Sequence, residues 1–170
     1  FVQAEAGIRD RLVTGFRRVL FRSALGDLLA RMGVNLLTGG GQGVMEAVCE
    51  GFASVADRAG LSLGVLPGRV EGDGCEAPPG YPNRFVEVPI RTHLPGRGEE
   101  GGTPLSRNSI NIASADVVVI LPGGAGTASE ARLAIQFRKP VIGFGGGGER
   151  EGVLQAETLE GGEEDRTSVV

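Results

Sequence analysis

The apolar positions of this chain fall into two repeating patterns, short continuous runs and runs spaced three to four residues apart. Ala24-Leu-Gly-Asp-Leu-Leu-Ala-Arg-Met32 reads as a helix that Gly33 ends as a C′ residue. Val34-Asn-Leu-Leu-Thr38 reads as a short strand, followed by the turn Gly39-Gly-Gly-Gln-Gly43. From Val44 to about Ala59, Met45, Val48, Cys49, Phe52 and Val55 or Ala56 share one helical face, and Gly60 is the expected stop. Leu61–Leu66 predicts a strand closed by Pro67-Gly68, and Phe85–Val88 another, with 69–84 as loop between them. Residues 91–102 form a polar glycine loop long enough to act as a lid. Thr103-Pro104 has the form of an N-cap with proline at the first helical position, opening a helix to about Ser114. A strand at 117–121, a helix at 127–138 and a strand at 140–144 follow. Strands alternating with helices predict an α/β fold with a parallel sheet. Ligands of such sheets sit at the carboxyl ends of the strands, where both glycine clusters of this chain lie.

The two ends of the chain stand apart from this pattern. Back-translated, Val13–Ser23 spells a common short-read sequencing adapter with one base dropped in the Gly15 codon. Gln3–Asp10 fits the adapter's upstream half except at Ala6, which leaves Arg11 and Leu12 as the index between the halves. Residues 1–23 are therefore expected to be adapter-derived, although Val13, Phe16, Val19 and Leu20 happen to fall at helical spacing. The domain proper is expected over 24–155, opening inside a helix with its first strand missing. Beyond Leu154 the text turns Glu- and Gly-rich, and 156–170 is expected to be a frayed or truncated tail.

Composition narrows the function by exclusion. With 41% hydrophobic and 22% charged residues, this is an ordinary globular chain, and its 30 glycines cluster in turns. A net charge of −4 and no basic stripe argue against a nucleic-acid partner. No apolar run approaches the roughly 20 residues of a membrane span, and no signal peptide is visible. Cys49 and Cys75 lack metal-type spacing, Cys49 reading as a small buried hydrophobe, and a reducing cytoplasm is the expected compartment. No metal and no resident cofactor are expected.

The strongest chemical signal is Val117-Val-Val-Ile-Leu-Pro-Gly-Gly-Ala-Gly-Thr-Ala-Ser-Glu130. An apolar strand runs into Gly123, Gly124 and Gly126, and the turn opens a helix carrying Thr127 and Glu130. Glycines admit close backbone approach, and a helix start offers free N–H groups and a positive dipole to an anion. Gly39, Gly40, Gly41 and Gly43 repeat the arrangement more weakly, where a tight turn with close helix packing is the alternative. The spacing differs from a dinucleotide-binding fingerprint, and the acidic ribose-binding residue is absent. Thr127-Ala-Ser-Glu130 also fits a capping box, so Glu130 is either a helix cap or a carboxylate facing the cradle. Arg107, in the first turn of the helix at 104–114, opposes the macrodipole, which suits a ligand role or a plain surface arginine. Asn108 and Asn111, poor helix formers, offer amides from the same helix. His93, the single histidine, lies in a loop and builds no catalytic constellation.

Taken together, these residues resemble the lysine-decarboxylase-like, or Lonely Guy, family of Rossmann-type proteins. Pro122-Gly-Gly-Ala-Gly-Thr-Ala-Ser-Glu130 matches the family signature P-G-G-x-G-T-x-x-E throughout, and Gly39–Ala47 resembles its first glycine turn and helix. The resemblance implies a Rossmann-like parallel sheet flanked by helices, covering roughly 24–155. It also implies a homodimer with the site near the interface, and a nucleoside 5′-monophosphate phosphoribohydrolase releasing base and ribose 5-phosphate. The phosphate would then sit on Gly123–Thr127, with Glu130 and Arg107 catalytic and Asn108 in the nucleotide site. The family's second motif, M-H-x-R-K-x-x-M, places its arginine on Arg107. Around it this chain reads Pro104-Leu-Ser-Arg-Asn-Ser-Ile-Asn111, with both Met, the His and the Lys replaced. The alternative is a non-catalytic carrier or sensor of a nucleotide-like ligand such as molybdenum cofactor.

Overall fold

The apolar runs Leu36–Thr38 and Ser62–Leu66 pair as parallel strands, an arrangement that favours continuous apolar text over alternation. The computed structural model describes residues 22–72, 74–96, 98–103, 106–122, 125–144 and 152–156. Residues 1–21, Pro104, Gly123, Gly124 and the tail from 157, on which several expectations fall, lie outside the described residues. Two units divide the chain, one ending at Arg91 and the other beginning at Thr92.

In the first unit a helix over 22–31 (α1) precedes β1 (Leu36–Thr38), α2 (Val44–Ala53) and β2 (Ser62–Leu66). The hairpin β3 (Arg69–Glu71) and β4 (Gly74–Glu76) and then β5 (Val88–Arg91) complete it. The sheet order is β1-β2-β5, all parallel, with Leu36 opposite Ser62 and Leu63 opposite Val88. Leu25, Ala30, Leu36, Val48, Cys49, Phe52, Val65 and Leu66 are buried in the core. Glycine sets how closely the two helices approach. A Cβ on Gly26 would overlap the Val48 carbonyl oxygen, and one on Gly51 would overlap that of Ser23.

Helix α2 and strand β5 depart from the sequence expectation, each for a reason that side-chain hydrogen bonds show. Helix α2 stops at Ala53 rather than near Ala59. Ser54 Oγ donates to Gly51 O at 2.6 Å and Arg58 Nη1 to Val55 O at 2.9 Å, so side chains take the carbonyls that another turn would have used. Gly60 instead allows close passage, because a Cβ there would overlap the Val34 carbonyl oxygen. The third strand is Val88–Arg91, not Phe85–Val88. Asn83 Oδ1 accepts the Phe85 N–H at 3.1 Å and Asn83 O the Val86 N–H at 3.2 Å, which holds 83–86 in a turn. Glu87 then sets the register: its N–H donates to Ser62 O at 2.9 Å, and its carboxylate accepts from Ser62 N at 2.8 Å and from Arg58. Pro89 is tolerated because β5 is an edge strand. The 69–84 loop contains the exposed antiparallel hairpin β3–β4.

The second unit contains a 3-10 helix (Gly98–Gly102), α3 (Arg107–Ser114), β6 (Val118–Ile120), α4 (Ala125–Gln136), β7 (Val141–Phe144) and β8 (Leu154–Ala156). Its parallel sheet runs β6-β7-β8 over a core of Ile112, Val118, Ile120, Ala131, Leu133, Ala134 and Val141. Strand β8, with Leu154 opposite Ile142, extends the sheet into the stretch where the sequence loses its periodicity. Helix α4 closes in a Schellman motif: Lys139 N–H reaches Ala134 O at 2.9 Å and Arg138 N–H reaches Ile135 O at 3.0 Å. Arg138 occupies the left-handed position, φ +56°, where glycine is usual. Lys139 Nζ donates to Ala113 O at 2.8 Å and so places a cation at the end of α3. The fold is α/β, with parallel strands and flanking helices as the sequence pattern predicts.

Candidate functional site

The expected cradle spans the junction of β6 and α4. Leu121 is buried and Pro122 exposed, and α4 opens at Ala125, two residues earlier than the sequence suggests. The shift changes what Thr127 and Glu130 can be. Thr127 becomes the third helical residue, and Glu130 the sixth. A capping box needs its acid at N3, three residues after the cap. Glu130 lies a turn too deep for that, and the capping reading of this carboxylate is withdrawn. The first four N–H groups of α4, which a helix leaves without partners of its own, belong to Ala125, Gly126, Thr127 and Ala128, beyond the carboxyl end of β6.

Glu130 is half-buried, and burial pushes its carboxyl above the ordinary range; the charge of Arg107 pulls part of the way back. The structure thus brings into electrostatic contact two residues 23 positions apart, on α4 and α3. Arg107 is the first residue of α3 and only 4% exposed, so it is no surface arginine. Helix α3 begins three residues later than Thr103-Pro104 implies. Thr103 is not its cap: the Thr103 hydroxyl donates to Glu100 O at 3.3 Å. Ser106 holds the N-cap position without a side-chain capping bond, its hydroxyl donating to Gly101 O at 2.6 Å.

The end of the segment read as a lid, Gly98–Gly102, is held against its neighbours in this structure. Besides Ser106, the Ser109 hydroxyl donates to Thr103 O at 2.9 Å, and the 3-10 helix packs against α3 and α4. Gly101 is required by this packing, since a Cβ would overlap Asn108 Nδ2 and lie 3.5 Å from Ser129 Oγ. Asn108 is 2% exposed, and its Oδ1 has no hydrogen-bond partner among the described residues. Asn111 is buried on the same helix.

The Gly39–Gly43 turn belongs to the first unit. Gly40 and Gly43 adopt φ of +70° and +73°, which only glycine takes without strain. Thr38 Oγ1 accepts the Gly40 N–H at 3.1 Å. Asn83 latches the turn from the other side, its N–H to Gly40 O at 2.7 Å and its Nδ2 to Gly41 O at 2.9 Å. Tyr81 lies over Gly41, where a Cβ would stand 3.0 Å from its hydroxyl. Sequence reasoning missed Asn83 and Tyr81, which come from a loop forty residues away with no periodicity. Cys49 is fully buried beside Thr38 Oγ1, as a small hydrophobe would be, and Cys75 sits on the hairpin. His93 is exposed. Among the described residues no three His, Cys, Asp or Glu side chains gather as a metal site would require, and no helix is long and apolar enough to cross a membrane.

The sequence pattern of the SLOG cluster4 family matches residues 18–169. The chain belongs to that family. SLOG proteins form a LOG-like Rossmann superfamily, in agreement with the strand–glycine turn–helix units described above. An uncharacterized protein of Archaeoglobus fulgidus is 33% identical over 124 residues, 73% of this chain and 67% of that one. Among solved structures, the molybdenum cofactor binding protein of Rippkaea orientalis is similar, with a TM-score of 0.63 and 29% identity over 83% of this chain and 80% of its own. The Moco carrier protein of Chlamydomonas reinhardtii is similar to the same degree, with a TM-score of 0.62, 29% identity and the same coverages.

Proposed function

We propose that this SLOG cluster4 protein binds a small nucleotide-like phosphorylated ligand and hydrolyses its N-glycosidic bond. The carrying observation is Glu130: a half-buried carboxylate, raised by burial, that stands too deep in α4 to act as its capping-box acid. A 5′-phosphate would rest on the N–H groups at the start of α4, with the Thr127 hydroxyl beside it. Gly123 and Gly124 would supply the close approach. Ionised Glu130 would accept a proton from water as the water oxygen bonds to C1′ and the C1′–N bond breaks. The electron pair of that bond leaves on the base, which takes up a proton. The same carboxylate would stabilise the oxocarbenium-like charge that builds at C1′. Arg107 would neutralise phosphate or the departing base and tune Glu130. The nucleoside monophosphates are the substrate class, and a homodimer is the expected assembly.

Similarity to proteins named for molybdenum cofactor favours a second reading, a carrier that uses the same cradle without turnover. One experiment separates the two. The protein is incubated with AMP, GMP, CMP and UMP, and free base is quantified by chromatography with Glu130→Gln in parallel. Base release that is lost in the variant supports the hydrolase. Ligand retention without release supports the carrier.

A further inference from the structure

The amide of Asn108 carries information about the ligand that the phosphate cradle does not. Its Oδ1 is a buried acceptor with no donor facing it among the described residues, on a residue 98% removed from solvent. Buried acceptors almost always have partners, and an orphan calls for an unrecorded one. Its position is specific: Asn108 follows Arg107 at the start of α3, and the space of its amide exists only because Gly101 has no side chain. The covering strap, Gly98–Gly102, is tied to α3 by the Ser106 hydroxyl, which donates to Gly101 O, and the Ser109 hydroxyl holds Thr103 just beyond it. The phosphate of a monoester is largely a dianion at neutral pH and then has no proton to offer a carbonyl oxygen, so the missing partner is not that group itself.

We propose that Asn108 reads a hydrogen-bond donor on the ligand, an O–H of the sugar or an N–H of the base, and so favours ligands that present more than the anion. This rests on the reading of the second unit as a phosphorylated-ligand site and names what else that ligand must present. Sulfate (a tetrahedral anion with no proton at neutral pH), ribose 5-phosphate and AMP are titrated by calorimetry into the wild type and into Asn108→Leu, which removes the acceptor at similar volume. Weakening of about tenfold or more for ribose 5-phosphate and AMP, with sulfate unchanged, is expected for a sugar hydroxyl. Weakening confined to AMP assigns the donor to the base. Equal weakening of all three probes, as a purely structural role would give, overturns the inference, as does unchanged binding of all three. Absence of binding by every probe to the wild type removes the site reading and this inference together. The wild type alone provides a second readout that does not depend on the variant folding. The Asn108 side-chain amide resonance is expected to shift on addition of AMP or ribose 5-phosphate and to stay in place with sulfate; a shift of equal size with sulfate overturns the inference.

Discussion

Replacing Glu130 by glutamine should make the protein more stable at neutral pH while abolishing turnover. Burial raises the carboxyl above its ordinary value, and the Arg107 charge recovers only part of that loss. The sign of the stability change follows from linkage. Below the unfolded-state value, about pH 4.3, the carboxyl is protonated in both states and costs nothing. As pH rises from there through the higher folded-state value, the unfolded chain ionises first and stability falls, and above that window the whole penalty is present. Glutamine keeps the shape and cannot ionise. Leaving a buried polar group poorly satisfied costs about 1–3 kcal/mol, and the attraction of Arg107 offsets some of it. A net gain of about 1 kcal/mol corresponds to about 2–4 °C in a chain of this size. Thermal unfolding of both proteins from pH 4 to pH 8 would show curves that meet in acid and separate toward neutrality, glutamine above. A variant less stable than wild type at pH 7, or a difference that does not depend on pH, would refute the reasoning, because Glu130 would then be a structural anchor.

Three further expectations concern the scaffold. Glu87 behaves oppositely to Glu130: the Ser62 N–H and then Arg58 hold its carboxyl below the usual range, so its contribution is present above the ordinary value and lost as pH falls through the depressed one. Glu87→Gln should therefore lower the melting temperature at pH 7 and converge with wild type in acid. Arg138→Gly should stabilise by about 1 kcal/mol in a denaturant titration, by relieving a left-handed residue in a motif that prefers glycine. Gly51→Ala should destabilise by at least 2 kcal/mol, on the order of an overpacked core site, because the new methyl meets the Ser23 backbone oxygen where α1 crosses α2; unchanged stability in the same titration would disprove that close crossing.

How much was legible in advance depended on whether the cause was local. The glycine turn after Val34–Thr38 and the run before Pro122 announced themselves, because an apolar strand, a glycine cluster and a helix are neighbours in sequence. The end of α2 was not readable, because Arg58 reaches back from beyond the helix to take its carbonyls. The start of β5 was displaced by Asn83 and Glu87, whose partners are in part as far away as Ser62. Glu130 is the instructive case. Its spacing from Thr127 satisfied a local rule, and the start of α4 two residues early left it inside the helix beside Arg107. The resemblance in the glycine signature named the superfamily, whereas the burial of Arg107 and Asn108 became visible only once α3 was placed.

The latch on the Gly39–Gly43 turn also fixes which way its peptide groups point. In a planar trans peptide the carbonyl of one residue and the N–H of the next point to opposite sides. Asn83 draws the Gly40 and Gly41 oxygens toward itself, so the Gly41 and Gln42 N–H groups face away from it. The turn thus presents two successive N–H donors, those of Gly41 and Gln42, on the side away from Asn83, and neighbouring N–H groups aimed one way attract anions. Such a preference for negative charge belongs to the main chain and not to any lysine or arginine. It does not titrate, and it persists as long as Asn83 and the glycines of the turn keep their places.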